Sequence, residues 1–306
     1  MPRWPGPLMA VGGALLAMGA LTTGALVTTG QIEMPDRSIL LPLALVGAGF
    51  FVAGLVYSAI RQLRVRSFLP PERYRGPSVF LLLALALVIA TVLNIPFTAD
   101  ATALLIGNGE LTFLGAIVIL VSTQVALLIV SWLFVYRPNA LAGLPRFPGT
   151  GAGAALRAGL GWGVVAWLVS TAMIVFSAWL LEQVGIAPEP QTAELAIEVL
   201  DPWLVIIAVV IVAPVAEEAF FRGVVFNAWR REAGRRWAFF GSAALFAAIH
   251  LSLLSLLPIF VLGLGLAWVY DRTKSLVAPM AMHAMVNGIS VALALLVRFD
   301  VLRLPV

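Results

Sequence analysis

The chain has 306 residues, 61% of them hydrophobic and only 11% charged, and its mean hydropathy is +1.03. A soluble domain needs roughly a quarter of its residues charged to cover its surface, so this composition excludes one and makes lipid the main solvent. The lack of cysteine excludes a disulfide framework and Cys-ligated metal centres. The formal charge of +4 comes from arginines in short loops, where it orients a membrane chain instead of gripping nucleic acid.

Apolar runs of about 18 residues or more read as spans. They lie at Leu8–Thr29, Ile39–Ile60, Ser78–Phe97, Leu111–Tyr136, Ala158–Leu181, Trp203–Trp229, Trp237–Ser252, Leu256–Tyr270 and Leu276–Val297. The fold expected is therefore an all-α, polytopic transmembrane bundle of about eight to nine spans. The seventh and eighth runs are short and close together, either two crossings or a broken, re-entrant pair. MPRW precedes the first run as it would in a signal peptide, but a run of about 22 residues exceeds the roughly 7–15 of a signal core, so a retained helix is expected.

The connections alternate in charge. Arg61, Arg64, Arg66, Arg73 and Arg75 follow the second span; Arg137, Arg146 and Arg157 the fourth; Arg230–Arg236 the sixth; Arg272 and Lys274 the eighth. The opposite links carry Glu33 and Asp36, Asp100 and Glu110, then Glu182, Glu189, Glu194, Glu198 and Asp201. The positive-inside rule places the arginine loops and the N-terminus in the cytoplasm and, with nine spans, the C-terminus outside, in an integral multi-pass protein of the plasma membrane. Small residues four apart (Gly13 and Ala17, Ala20 and Gly24, Gly159 and Gly163) suit close helix packing in lipid. Trp132, Trp203, Trp229, Trp237 and Trp268 read as interfacial anchors. A short surface helix is expected at Thr192–Leu200, beyond Pro188 and Pro190.

Nearly every ionisable residue sits in a loop or at a span edge. The exceptions are Glu217, Glu218 and Arg222 on the sixth span, His250 on the seventh and His283 on the ninth, and these are the only two histidines of the chain. A charge at membrane depth is costly and marks a functional site by default. Glu218 and Arg222 are i and i+4, with the acid N-terminal, the orientation that pairs best. Glu217 lies about 100° round the helix, without that partner and fit to take and give a proton. His283 and Asn287, four apart, share a helix face, and Asn287 is a neutral donor suited to a developing oxyanion. The pattern suits hydrolysis by a carboxylate and an imidazole acting on water, with no covalent intermediate.

EEAFFR, FAAIH and HAMVN are EExxxR, FxxxH and HxxxN motifs, in that order on successive helices. The set resembles the CPBP family, the CAAX proteases and bacteriocin-processing enzymes, whose best-known branch is the type II CAAX prenyl endopeptidase. The resemblance spans roughly residues 160–297. It divides the chain into N-terminal spans 1–157 without a recognised motif, a catalytic core at 158–297 and a tail at 298–306. It implies an intramembrane endopeptidase in which Glu217 and His250 activate water, His283 and Asn287 form the oxyanion site, and Glu218 and Arg222 support them. It implies a membrane-associated peptide or lipopeptide substrate, either a prenylated CAAX tail or an unprenylated peptide. Glu217, His250 and His283 also form an acceptable ligand set for a divalent metal such as zinc, although no HExxH helix is present, and a metal-free glutamate mechanism stands beside that. Two other readings start from the same residues: a proton-coupled transporter, and a catalytically idle scaffold or bacteriocin-immunity protein.

Overall fold

The computed structural model describes residues 5–28, 39–94, 106–107, 110–111, 113–142, 151–186 and 200–302. Among these the chain forms long helices joined by short links. They are α1 (Pro5–Thr28), α2 (Leu40–Arg66), α3 (Val79–Asn94), α4 (Phe113–Ser131, continued by a π-helical turn Trp132–Tyr136) and α5 (Ala152–Gln183). The remainder are α6 (Pro202–Glu232), α7 (Arg235–Ala248), α8 (Leu253–Thr273) and α9 (Val277–Arg298). A two-residue antiparallel pairing, Ile106–Gly107 with Glu110–Leu111, is the one strand contact among the described residues. It takes Leu111 out of the fourth span. Helices α2, α5, α6, α8 and α9 are long and apolar enough to cross a membrane, so the chain is an integral membrane protein.

Within lipid, helices associate by close packing because lipid tails are as apolar as leucine. That accounts for the small residues. α1 and α2 run antiparallel, and a side chain at Gly13 would run into the backbone of Gly47 and Phe51. α5 packs along α8 and α9, α3 along α4, α4 along α6, and α7 along α8. α6 is the central helix: half of its most apolar window is buried, against 17% for α5. Phe220, Phe221, Val224, Val225 and Phe226 of α6 pack with Leu82 of α3, Leu127 of α4, Phe246 of α7, Leu266 of α8 and Met282 of α9.

The arginine links interlock on one face of the bundle. Arg66 meets Glu232 at 2.8 Å, Arg231 donates to the Ala142 carbonyl at 2.6 Å, and the Arg75 N–H donates to the Ala140 carbonyl at 2.9 Å. Asp271, at the end of α8, receives Arg230 at 2.7 Å and Arg235 at 2.9 Å. The four positive links at 67–78, 137–142, 230–236 and 271–276 therefore share a side, as their charge requires.

The structure narrows the alternatives left open for the seventh and eighth runs and changes the reading of one tryptophan. The seventh run is not a full span: α7 has 14 residues, about 21 Å at 1.5 Å per residue, short of a hydrocarbon core of about 30 Å. The chain leaves the helix at Ile249, Leu251 adopts a φ of +52°, and Ser252 caps α8 by accepting from the Ser255 N–H. The eighth run becomes the full-length α8, with 21 residues. Trp229 is no interfacial anchor but is buried against Phe80 and Trp237, whereas Trp132, Trp203 and Trp237 are exposed. Helix α5 starts at Ala152, ahead of the Ala158 edge expected for the fifth span. The surface helix expected at Thr192–Leu200 lies outside the described residues apart from Leu200, as do Glu33, Asp36, Asp100, Arg146, Glu189, Glu194 and Glu198.

Candidate active site

The glutamates sit on a short α-helical stretch, Ala213–Phe220, between two π-helical stretches, Ile206–Val212 and Phe221–Phe226. Such insertions in a helix are uncommon and gather at functional sites. Pro214, at the start of the α stretch, cannot donate a backbone hydrogen bond. The carbonyls loosened around the second π stretch find donors on other groups. Tyr136 Oη of α4 donates to the Ala219 carbonyl at 2.9 Å, and Asn227 Nδ2 donates to the Arg222 carbonyl at 2.7 Å. Asn227 Nδ2 also reaches Tyr270 Oη of α8 at 2.7 Å.

Glu218, Arg222 and His283 are buried and bonded together. Arg222 Nη1 donates to Glu218 Oε1 at 2.9 Å, as the i, i+4 spacing predicts. Its Nη2 donates to the Gly263 carbonyl at 3.0 Å. The same Glu218 oxygen lies 3.1 Å from His283 Nδ1. A carboxylate oxygen accepts, so Nδ1 carries the hydrogen, and the other ring nitrogen, Nε2, is turned to Glu217, 3.9 Å from its Oε2. That distance exceeds a direct hydrogen bond. Glu217 Oε2 and Glu218 Oε2 are both buried with no hydrogen-bond partner among the described residues, which is costly unless the site uses them. Paired carboxylates thus receive unlike surroundings: Glu218 is tied to an arginine and a histidine, Glu217 faces an imidazole across a gap.

Phe246 joins the remaining members. Its ring is buried, with the Arg222 guanidinium carbon 4.7 Å from its centroid. The His250 ring stands edge-on at 5.1 Å and the His283 ring at 5.7 Å. The two histidines are therefore neighbours of one aromatic ring. His250 does not lie on a helix as the sequence suggests. It occupies the turn after α7, is exposed, and its Nδ1 sits 2.8 Å from the Phe246 carbonyl. A carbonyl only accepts, so His250 also carries its hydrogen on Nδ1 and presents a free Nε2. Asn287 is half-buried on α9 and donates from Nδ2 to the Val209 carbonyl at 2.8 Å.

The sequence named the six polar residues but missed their backbone and aromatic partners. Gly263 and Tyr136 stand within apolar runs, and neither carries a signal that its contact would be polar. Two apolar cavities, of about 260 and 410 Å³, lie beside the site, and none of the six residues lines either. The first, between α5 and α8, includes Met282, the neighbour of His283. For a metal ion, Glu217 and His283 offer two donors facing each other, but among the described residues no three His, Asp or Glu side chains converge as ligands. The set Glu217, His250 and His283 does not fit such an ion in this arrangement.

Fold and site together define a polytopic helical membrane protein whose bundle encloses a carboxylate–imidazole cluster. Residues 199–289, which hold all three motifs, match the family described as type II CAAX prenyl endopeptidase Rce1-like. The chain is also similar to a Bacillus subtilis (strain 168) protein named "Putative membrane peptidase YdiL", 31% identical over 112 residues, which are 36% of this chain and 46% of that protein. Both findings support the CPBP family that the motifs resemble. The chain spans just under half the length of that curated relative. No solved structure matches.

Proposed function

We propose that the protein is an intramembrane endopeptidase that hydrolyses a peptide bond in a membrane-associated peptide or lipopeptide. The observation that carries this reading is the placing of His283 Nε2 opposite the unpartnered Glu217 Oε2 inside a buried cluster. Glu217, with the free Nε2 of His250, removes a proton from water as its oxygen bonds to the scissile carbonyl carbon, and the carbonyl π pair moves to the oxygen. His283 Nε2, when protonated, donates to that oxyanion. As the tetrahedral centre collapses, the C–N bond breaks and Glu217 returns its proton to the leaving amine. Glu218 holds His283 by Nδ1, and Arg222 holds Glu218. No step passes through a metal.

The N-terminal spans are read as an accessory unit, since α1 packs chiefly along α2. The interlocked arginine face is assigned to the cytoplasm. A type II CAAX relationship makes prenylated tails the first substrates to test. The deciding experiment reconstitutes the protein in liposomes with CAAX-type lipopeptides and with generic transmembrane peptides, with and without chelator. Wild type is expected to cleave at least one class, and Glu217→Gln to lose at least about 10²-fold. Equal cleavage by both proteins overturns the proposal.

A further inference from the structure

The hydrogen bond between Asn287 and Val209 has a cause in the chain itself. In the first π stretch of α6, N–H groups reach five residues back, and the Ala213 N–H donates to the Ala208 carbonyl in this way. The next donor in the series belongs to residue 214, and its acceptor is the Val209 carbonyl. Residue 214 is proline, which has no N–H. Val209 is thus left with a carbonyl that its own helix cannot satisfy, at a depth where no backbone acceptor is tolerated unpaired. Asn287 Nδ2, arriving from α9 at 2.8 Å, supplies the hydrogen that Pro214 lacks.

We infer that Asn287 is a positioning residue, whose amide substitutes for the missing donor of Pro214 and sets the α6 segment bearing Glu217 against the α9 segment bearing His283. Pro214 lies three and four residues before the two glutamates, and Asn287 lies one turn after His283. The Glu218–His283 bond is a first tie between α6 and α9, and it lies beyond Pro214 from the Val209 end of α6. The Val209–Asn287 bond is the second, and two ties fix the roll that places Glu217 Oε2 opposite His283 Nε2. The inference rests on the endopeptidase reading for its catalytic consequence only, since the tie itself is a matter of helix geometry.

The test compares the parent with Asn287→Leu, Pro214→Ala and the double variant. Because the chain has no cysteine, spin labels can be placed cleanly at Val215→Cys on α6 and Leu293→Cys on α9, both exposed positions. Pulsed electron resonance then reads the distance between the helices, and peptide cleavage reads kcat and KM. Asn287→Leu is expected to shift or broaden the distance distribution. It should also lower kcat by roughly 10- to 100-fold, the cost of misplacing a catalytic group by about an ångström, with little change in KM. Pro214→Ala alone keeps the parental distances. In the double variant the backbone N–H regained at position 214 replaces the lost donor, and both distance and kcat return most of the way.

Parental distances in Asn287→Leu overturn the inference, as does a double variant that restores neither quantity. A shift in Pro214→Ala alone removes the proline as the source of the orphan carbonyl and also overturns it. Restored distances without restored kcat leave Asn287 as a direct substrate contact and reject the positioning role. If the parent cleaves no peptide, the endopeptidase reading fails, while the distances still decide whether the tie exists.

Discussion

Replacing Glu218 by leucine removes the acceptor shared by two other buried groups. Its Oε1 takes bonds from Arg222 Nη1 at 2.9 Å and His283 Nδ1 at 3.1 Å, and both the acid and the arginine side chains are fully enclosed. What remains for Arg222 is the Gly263 carbonyl and the face of Phe246. Stranding one member of a buried pair costs about 3–5 kcal/mol, because the desolvated charge has lost its counter-charge. At roughly 2 °C or more per kcal/mol, the melting point in detergent should fall by about 6 °C or more. Converting Arg222 to leucine as well removes the stranded charge, and such double replacements are often near neutral. The double variant should therefore recover at least half of the lost melting point. It should not recover cleavage, because His283 Nδ1 still has no acceptor and the ring no longer faces Glu217. A single variant as stable as the double one would refute the assignment of Glu218 as the counter-charge of Arg222. A double variant that regains cleavage would refute its role in holding His283.

Two further substitutions probe the surroundings of the site. Phe246→Leu removes the ring beside Arg222, His250 and His283. It is expected to lower kcat by about tenfold, with KM within a few-fold, because misoriented imidazoles act on the transition state; unchanged kinetics would show that the ring only fills space. Gly13→Val drives a side chain into the backbone of Gly47 and Phe51 and should lower the melting point. Cleavage measured well below that point should be unaffected, since α1 packs chiefly on α2, and a loss of cleavage there would tie the N-terminal hairpin to the site.

Much of the fold was legible because, in lipid, length and hydropathy alone dictate helices. All nine expected runs hold helices with edges shifted by a few residues, among the described residues. The seventh is shorter than a span for a definable reason. Around Leu251 the stretch AAIHLSLLSLL is apolar but for one histidine and two serines, so hydropathy could not decide between two crossings and a broken pair, and no glycine or proline announces the positive φ. Trp229 misled because Arg230 beside it does lie at the charged face, while the indole itself turns inward beneath Phe80. Within the site, the Glu218–Arg222 pair was legible because it lies on one helix at a fixed spacing. The Glu218–His283 bond joins residues 65 apart. Scarcity of buried ionisable groups implied that they meet, but no pattern within one helix could say which glutamate the histidine would hold.

The position of the glutamates in α6 follows from how the bilayer treats irregular helices. A π stretch leaves carbonyls misaligned with their donors, and lipid offers none in exchange. An irregular helix is therefore tolerated only where neighbours reach in, and around α6 they do. Asn287 of α9 meets Val209, Tyr136 of α4 meets Ala219, and Asn227 of α6 itself, braced by Tyr270 of α8, meets Arg222. The Arg222 guanidinium in turn donates to Gly263 of α8. Each such contact both satisfies a backbone group and stops α6 from turning, so the eight residues between the π stretches are held at both ends. A regular α-helix would have satisfied its own carbonyls and drawn no neighbour into those bonds. The irregularity thus gives Glu217 a fixed bearing on His283 through bonds that touch neither residue, and relaxing it should cost activity before it costs the fold.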